Sequence, residues 1–175
     1  MSPTSSPPPL SPIVDTNMLF DFLVWRFHTQ THTDIHQSLR DHLSSRPMEA
    51  LKWYLNAAKP IQTVFHVIAE LHGLTKKKTQ KKPEWTTSTR ESFWWFVWEE
   101  LAQIQLEEHP VRIAEMNPED LAKVGPTDAS ILVLAIRLDA VVLTEDGPLR
   151  DQCTAREIRV LNYDRVRELW TGTTI

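Results

Sequence analysis

Between Gly125 and Leu149 the chain writes one compact structural unit with an acid at each end. Pro126 and Thr127 are residues that open helices, and Ile131, Leu134, Ala135 and Leu138 recur at helical spacing to make one apolar face. Val141, Val142 and Leu143 follow as a short, fully buried strand, and Gly147-Pro148 turns the chain just past it. Asp128 is thereby expected in the first turn of the helix and Asp146 just beyond the carboxyl end of the strand, where open α/β sheets bind their ligands. A parallel sheet gathers its strand ends on one rim, so acids far apart along the chain can share a site.

Two other segments have the same character. In Ile13-Val14-Asp15-Thr16-Asn17-Met18-Leu19, two β-branched residues run into an acid and a helical pattern (Leu19, Phe20, Leu23, Val24, Phe27) starts at once. In Phe65-His66-Val67-Ile68-Ala69-Glu70-Leu71, a single Glu interrupts the apolar side of a helix, and a carboxylate in that position needs a partner. Taken singly, an Asp after a strand is most often a helix cap or turn residue. The information lies in the combination.

The 175 residues suggest one domain, spanning 13–175, and with 41% hydrophobic residues and seven Trp it can bury a substantial core. Four Gly and no glycine-rich phosphate loop exclude the common nucleotide-cradling motifs. One cysteine, Cys153, excludes an internal disulfide and a Cys-based zinc cluster, and points to a reduced, cytoplasmic setting. Residues 1–12, rich in Pro and Ser, lack the basic start and apolar centre of a signal peptide and are expected to form a disordered leader. No apolar run approaches the length of a membrane span.

The remaining strands and helices fill in an alternating order. Pro47 to Asn56 has a partly apolar helical pattern or covers a loop, Pro60 is expected to start the helix that carries Glu70, and Gly73 to end it. Val111 to Met116 reads as a strand, Asn117 caps a brief helix ending before Gly125, and Ile158 to Leu161 reads as a last strand backed by a helix from Asp164 to Trp170. Strands near residues 13, 112, 142 and 160 separated by helices give an α/β protein, a three-layer α/β/α arrangement around a central parallel sheet.

Three features stand outside that frame. His28, His32 and His36 recur every fourth residue, which on one helix would align them; a solvated helix face outweighs a metal site because no acid or Cys converges with them. Lys76, Lys77, Lys78, Lys81 and Lys82 form a run without acids, read as a flexible basic loop at about 75–90. In a chain of net charge −4 this run is the candidate to hold phosphates. Finally, Ser92 to Trp98 is so aromatic that its rings cannot all face one core, so some of Trp94, Trp95 and Trp98 are expected to be covered by a second copy of the chain or a partner peptide, with base stacking as the alternative.

Asp15-Thr16-Asn17 after the first strand, Glu70 on a middle helix, Asp128 opening a helix and Thr144-Glu145-Asp146 after the next strand together resemble the PIN-domain nucleases, most of all the VapC-type toxins of bacterial type II toxin–antitoxin pairs. The resemblance covers about residues 12–170. It implies a PIN-like fold and an endoribonuclease whose catalytic and metal-binding set is Asp15, Glu70, Asp128 and Asp146, with an antitoxin as partner. Two features depart from the toxins, the long lysine-rich link from Thr75 to Arg90 and the proline-rich start, so an RNA-processing nuclease of housekeeping type stays open beside the toxin.

Elementary electrostatics leads in the same direction. Four converging carboxylates repel unless some are protonated or a hard divalent cation lies among them, and an all-oxygen set suits Mg2+ or Mn2+ rather than zinc or a redox metal. Asp15 and Asp128 are assigned as central ligands, Glu70 and Asp146 as completing the pocket directly or through water, and Thr16, Asn17 and Thr144 as orienting carboxylates or contacting phosphate. Glu145 is expected to point away from its neighbour Asp146. The expectation is in-line hydrolysis of RNA phosphodiesters by a homodimer, against a non-catalytic scaffold that binds RNA or protein. A phosphotransferase with Asp15 as nucleophile lacks the second acid at Asn17 and the lysine after a strand that it needs.

Overall fold

A computed structural model describes residues 11–79 and 82–172. Their centre is a five-stranded, all-parallel sheet in the order β3-β2-β1-β4-β5, formed by β1 (Ile13–Val14), β2 (Ile61–Val64), β3 (Leu106–His109), β4 (Val142–Leu143) and β5 (Val160–Leu161). Around it lie α1 (Thr16–Thr31), α2 (Gln37–Ser44), α3 (Met48–Ala57), α4 (Phe65–Thr79), α5 (Thr87–Gln103), α6 (Pro118–Leu138), α7 (Gly147–Thr154) and α8 (Tyr163–Thr171), which complete a three-layer α/β/α arrangement. No helix among the described residues is long and apolar enough to cross a membrane.

The sequence order of the strands explains where a site can form. From β1 the chain moves outward to β2 and β3, then returns to the far side of β1 for β4 and continues to β5. The crossover direction therefore reverses between β1 and β4, and at such a switch point the loops diverge and leave a crevice beyond the carboxyl strand ends. Ile13, Val14, Val142 and Leu143 are all fully buried, so this central pairing is covered on both faces.

The core is continuous. Met18, Leu19, Leu23 and Phe27 of α1 are buried, and Phe27 meets Phe93 of α5 edge-on at a ring separation of 5.3 Å. On α6, Ile131, Leu134 and Ala135 are buried as their spacing requires, with the helix packed against β1, β2, α4 and α7. Gly125 interrupts this helix with φ 82° and ψ 174°, a conformation that side-chain-bearing residues rarely adopt, so the segments before and after it are two helices in geometry. α1 and α5 are also joined by charge: Arg26 donates from Nε to Glu100 Oε1 at 2.8 Å and from Nη2 to Oε2 at 3.1 Å, with both residues buried.

Several local expectations are corrected. Pro60 does not start the Glu70 helix: Ile61, Thr63 and Val64 favour extended backbone and form β2, paired with β1 and β3, so the helix begins at Phe65. Gly73 does not end it, because Leu71, Thr75 and Thr79 keep one side of α4 buried past the glycine. Consequently Lys76, Lys77 and Lys78 occupy the last turn of a helix rather than a loop starting at 75, while Lys81 lies outside the described residues. The strand expected at Val111–Met116 is instead Leu106–His109, an edge strand whose polar residues show no core-facing alternation; Ile113–Glu115 is a single 3-10 turn. The leader expectation falls mostly on residues 1–10, outside the described ones, but Pro12 already belongs to the sheet, its carbonyl accepting from the Gln62 amide at 2.7 Å.

The buried Arg26–Glu100 pair generates a stability prediction. Glu100→Ala leaves a guanidinium without its partner between two helices and should lower unfolding free energy by about 3–5 kcal/mol, whereas replacing both residues with apolar ones of similar volume should cost far less. Chemical denaturation of the single and double variants reads the difference.

Candidate functional site

Parallel pairing sets the site's first contact. Ile13 stands level with Val142 and Val14 with Leu143, so the residues that follow, Asp15 and Thr144, leave the sheet side by side. The Asp15 amide donates to Leu143 O at 3.0 Å, and the Thr144 hydroxyl donates to Asp15 Oδ2 at 2.8 Å. Asp15 occupies the N-cap position of α1, yet its side chain makes no capping bond; it is turned to Thr144 instead. The structural reading of a strand-end Asp as a helix cap therefore does not explain this residue.

The other acids arrive from three more elements. Glu70 projects from α4, where its Oε2 accepts from the Thr16 hydroxyl at 2.8 Å, so the exposed glutamate is tied to the residue next to Asp15. Asp146 follows β4; its amide donates to Thr144 Oγ1 at 3.0 Å and its Oδ1 accepts from the Leu149 amide at 2.9 Å, capping α7. Asp128 sits just after the Gly125 interruption of α6, and its carboxylate has no hydrogen bond or ion pair among the described residues. Glu145 is directed elsewhere, accepting from the Tyr163 amide at the start of α8 at 2.6 Å and lying 3.9 Å from Arg46. Asn17 is exposed at the mouth of the crevice, whereas Thr16 and Thr144 are buried.

These acids feel one another. Burial pushes Asp15 up to about 6, an effect that the Thr144 hydroxyl and Thr16 amide oppose and that the charges of Asp146 and Glu70 reinforce. Burial likewise raises Asp128 to about 7, with Asp15, Asp146 and Glu70 all adding repulsion. No Lys, Arg or His among the described residues forms an ion pair with any of the four, although Glu100, Asp120 and Glu145 all have arginine partners. The four surround one rim without closing on each other: among the described residues, no three His, Cys, Asp or Glu side chains stand as a ready ligand set for a metal ion. Like charges left without a cation are expected to stand apart.

The histidines are not aligned. α1 ends at Thr31, His32 takes a left-handed conformation at its end, and His36 caps the next helix by accepting from the Ser38 amide at 3.2 Å. His28 bonds the Thr33 carbonyl at 2.6 Å and His42 bonds Asp21 at 2.9 Å, so each ring has its own local role. The lysine run is also divided. Lys77, Lys78 and Lys82 line a cleft of about 720 Å3 that also contains Asn17, Asp146 and Arg46, while Lys76 faces a different groove of about 770 Å3 with Trp94, Trp95 and Trp98. Arg46 was not legible as a site residue, because its placement depends on the link between α2 and α3 reaching Tyr163 at the start of α8.

Repulsion within the rim generates a prediction without reference to catalysis. An acid that the fold holds at about 6 or 7 against an unfolded value near 3.8 contributes stability that is present in acid and lost as pH rises through the folded value. In metal-free buffer, Asp15→Asn should therefore gain roughly 1–3 kcal/mol over the parent at pH 8 and little at pH 4. Thermal melts of both proteins across that range test the sign; a parent that is relatively more stable at pH 8 than the variant contradicts it.

Compared with known proteins, the chain matches no family model and no curated protein.

Proposed function

We propose that this chain is a metal-dependent endoribonuclease of the PIN-domain kind, hydrolysing RNA phosphodiester bonds at the rim formed by Asp15, Glu70, Asp128 and Asp146. The observation that carries this reading is the gathering of four mutually repelling carboxylates, none with a cationic partner among the described residues, at the switch point of a parallel sheet. A scaffold gains nothing from that repulsion, which a divalent cation would convert into binding free energy.

The donor set fits Mg2+ or Mn2+: it is all oxygen, and in two of its members, buried Asp15 and half-buried Asp128, burial and neighbouring negative charge disfavour the ionised form in the absence of a cation. Asp15 and Asp128 would hold the ion, with Glu70 and Asp146 completing the pocket directly or through water. When bound, such an ion polarises the phosphodiester and makes a coordinated water more acidic. The chain itself contributes orientation. Thr144 fixes one oxygen of Asp15 and, through the Asp146 amide, the loop that carries the last acid. Thr16 fixes one oxygen of Glu70, and exposed Asn17, which lines the cleft with Asp146, would contact a phosphate there.

The toxin role, an antitoxin partner and a cytoplasmic site of action accompany this reading by resemblance, and a housekeeping RNA-processing nuclease shares all of its chemistry. Growth arrest on expression distinguishes the two. A homodimer is proposed on α5, where Phe93 and Val97 are buried but Trp95 and Trp98 stay 73% and 75% exposed. Sedimentation should give a dimer for the parent and a monomer for a Trp95→Ser, Trp98→Ser double variant.

Purified protein should cut RNA with Mn2+ and not with a chelator. Asp15→Asn and Asp128→Asn should abolish cleavage with the fold retained, and Thr144→Val should reduce it about 10–100-fold. Gel-resolved cleavage with circular dichroism as the folding control decides; full activity in Asp128→Asn rejects the assignment.

A further inference from the structure

The groove of about 770 Å3 that contains Lys76 is walled by α4 and α5 and includes none of the four rim acids. One wall is a stripe of α4, His72, Thr75, Lys76 and Thr79; the other is a stripe of α5, Glu91, Trp94, Trp95 and Trp98. Each set has the i, i+3, i+4, i+7 spacing of a single helix face. His72 and Trp94 meet across the groove with ring centroids 5.6 Å apart. Trp94 is half-buried, while Trp95 and Trp98 leave most of their ring surface uncovered.

The polar groups of the groove differ in what they already hold. The Thr75 hydroxyl donates to the Leu71 carbonyl at 2.8 Å, the usual bond of a helical threonine to the turn before it. One turn later Thr79 makes no such bond: it is fully buried, and its Oγ1 has no hydrogen-bond partner. An orphaned buried hydroxyl is rare enough to require an explanation. Lys76 has no hydrogen bond or ion pair among the described residues. Arg90 is occupied by the Trp85 carbonyl, to which its Nη1 donates at 2.7 Å, and with Lys76 it outweighs the one acid of the groove, Glu91.

We propose that this groove binds a small aromatic anion: a flat heteroaromatic ring lies on the tryptophan wall, its anionic group pairs with Lys76, and a ring heteroatom bonds the Thr79 hydroxyl. Apolar, aromatic walls with a few convergent polar groups are the usual make-up of a small-molecule site. Ring stacking supplies affinity without selecting one ring system, and the cation and the buried hydroxyl select for charge and polarity. A purely structural face gains nothing from leaving Thr79 unpaired. The site shares no residue with the carboxylate rim and is independent of the nuclease reading. Nucleoside monophosphates and indole carboxylates both carry this chemistry.

The test is equilibrium dialysis of the full chain against AMP and against indole-3-acetate. It is run at a protein dilution where sedimentation gives a monomer, because Trp95 and Trp98 also carry the proposed contact between copies. At least one probe should bind, and the tighter of the two identifies the source; the matching ring without the anion, adenosine or indole, should bind about tenfold more weakly. Lys76→Gln should weaken binding about tenfold and Thr79→Val about threefold to tenfold. Lys77→Gln, exposed on the same helix end but outside the groove, should leave it unchanged. Since the hydroxyl has no partner in the empty protein, Thr79→Val should melt no lower than the parent. Binding of neither probe, equal binding of the uncharged ring, parent affinity in Lys76→Gln or Thr79→Val, an equal loss in Lys77→Gln, or a lower melting temperature in Thr79→Val overturns the proposal.

Discussion

Everything at the rim depends on the parallel pairing of two very short strands. Because Val14 is level with Leu143, the next residues out of the sheet are Asp15 and Thr144, and their side chains come within hydrogen-bond reach. A register slip of one residue would turn Asp15 to the opposite face of the sheet and separate it from Thr144. Strands of two residues have little hydrogen bonding of their own, so the register is fixed by burial of Ile13, Val14, Val142 and Leu143 between the helical layers. The core thus specifies the chemistry of the rim by specifying a register.

Charge is distributed in the same economical way. The chain is acidic overall, and two of its buried acids are matched to a cation: Glu100 to Arg26 and Asp120 to Arg156. At the switch point that matching stops. Asp15 and Asp128 are both raised first by burial and then by the charges of Asp146 and Glu70, which is a cost the fold carries without any visible structural return. Directly beside this negative rim, Lys77 and Lys78 at the end of α4 line a cleft without an ion-pair partner among the described residues.

Sequence reading succeeded where local chemistry and burial agree and failed where pairing partners decide. The α6–β4 unit was legible because Pro126, the apolar spacing of Ile131 to Leu138 and the Val142-Leu143 pair all have one interpretation. Ile61 to Val64 was misread because Pro60 is an equally good start for a helix, and only strands on either side make the segment extended. Leu106–His109 was invisible because an edge strand facing solvent needs no apolar alternation. The histidine spacing suggested one face, but the chain breaks after Thr31 and distributes the rings among three unrelated contacts.

By itself the sequence determined the class of fold, through alternating buried strands and amphipathic helices, and it marked Asp15, Asp128 and Asp146 through the strand ends and helix starts that hold them. These are local properties, fixed by a few neighbouring residues. Tertiary structure alone decided that the crossover direction reverses between β1 and β4, that Thr16 reaches Glu70 across 54 positions of sequence, and that Lys77 and Lys78 share a cleft with Asp146 while adjacent Lys76 does not. The reason is geometric. Which side chains meet at a rim depends on strand order and helix rotation, and both are settled by the packing of the whole core rather than by any one stretch of chain.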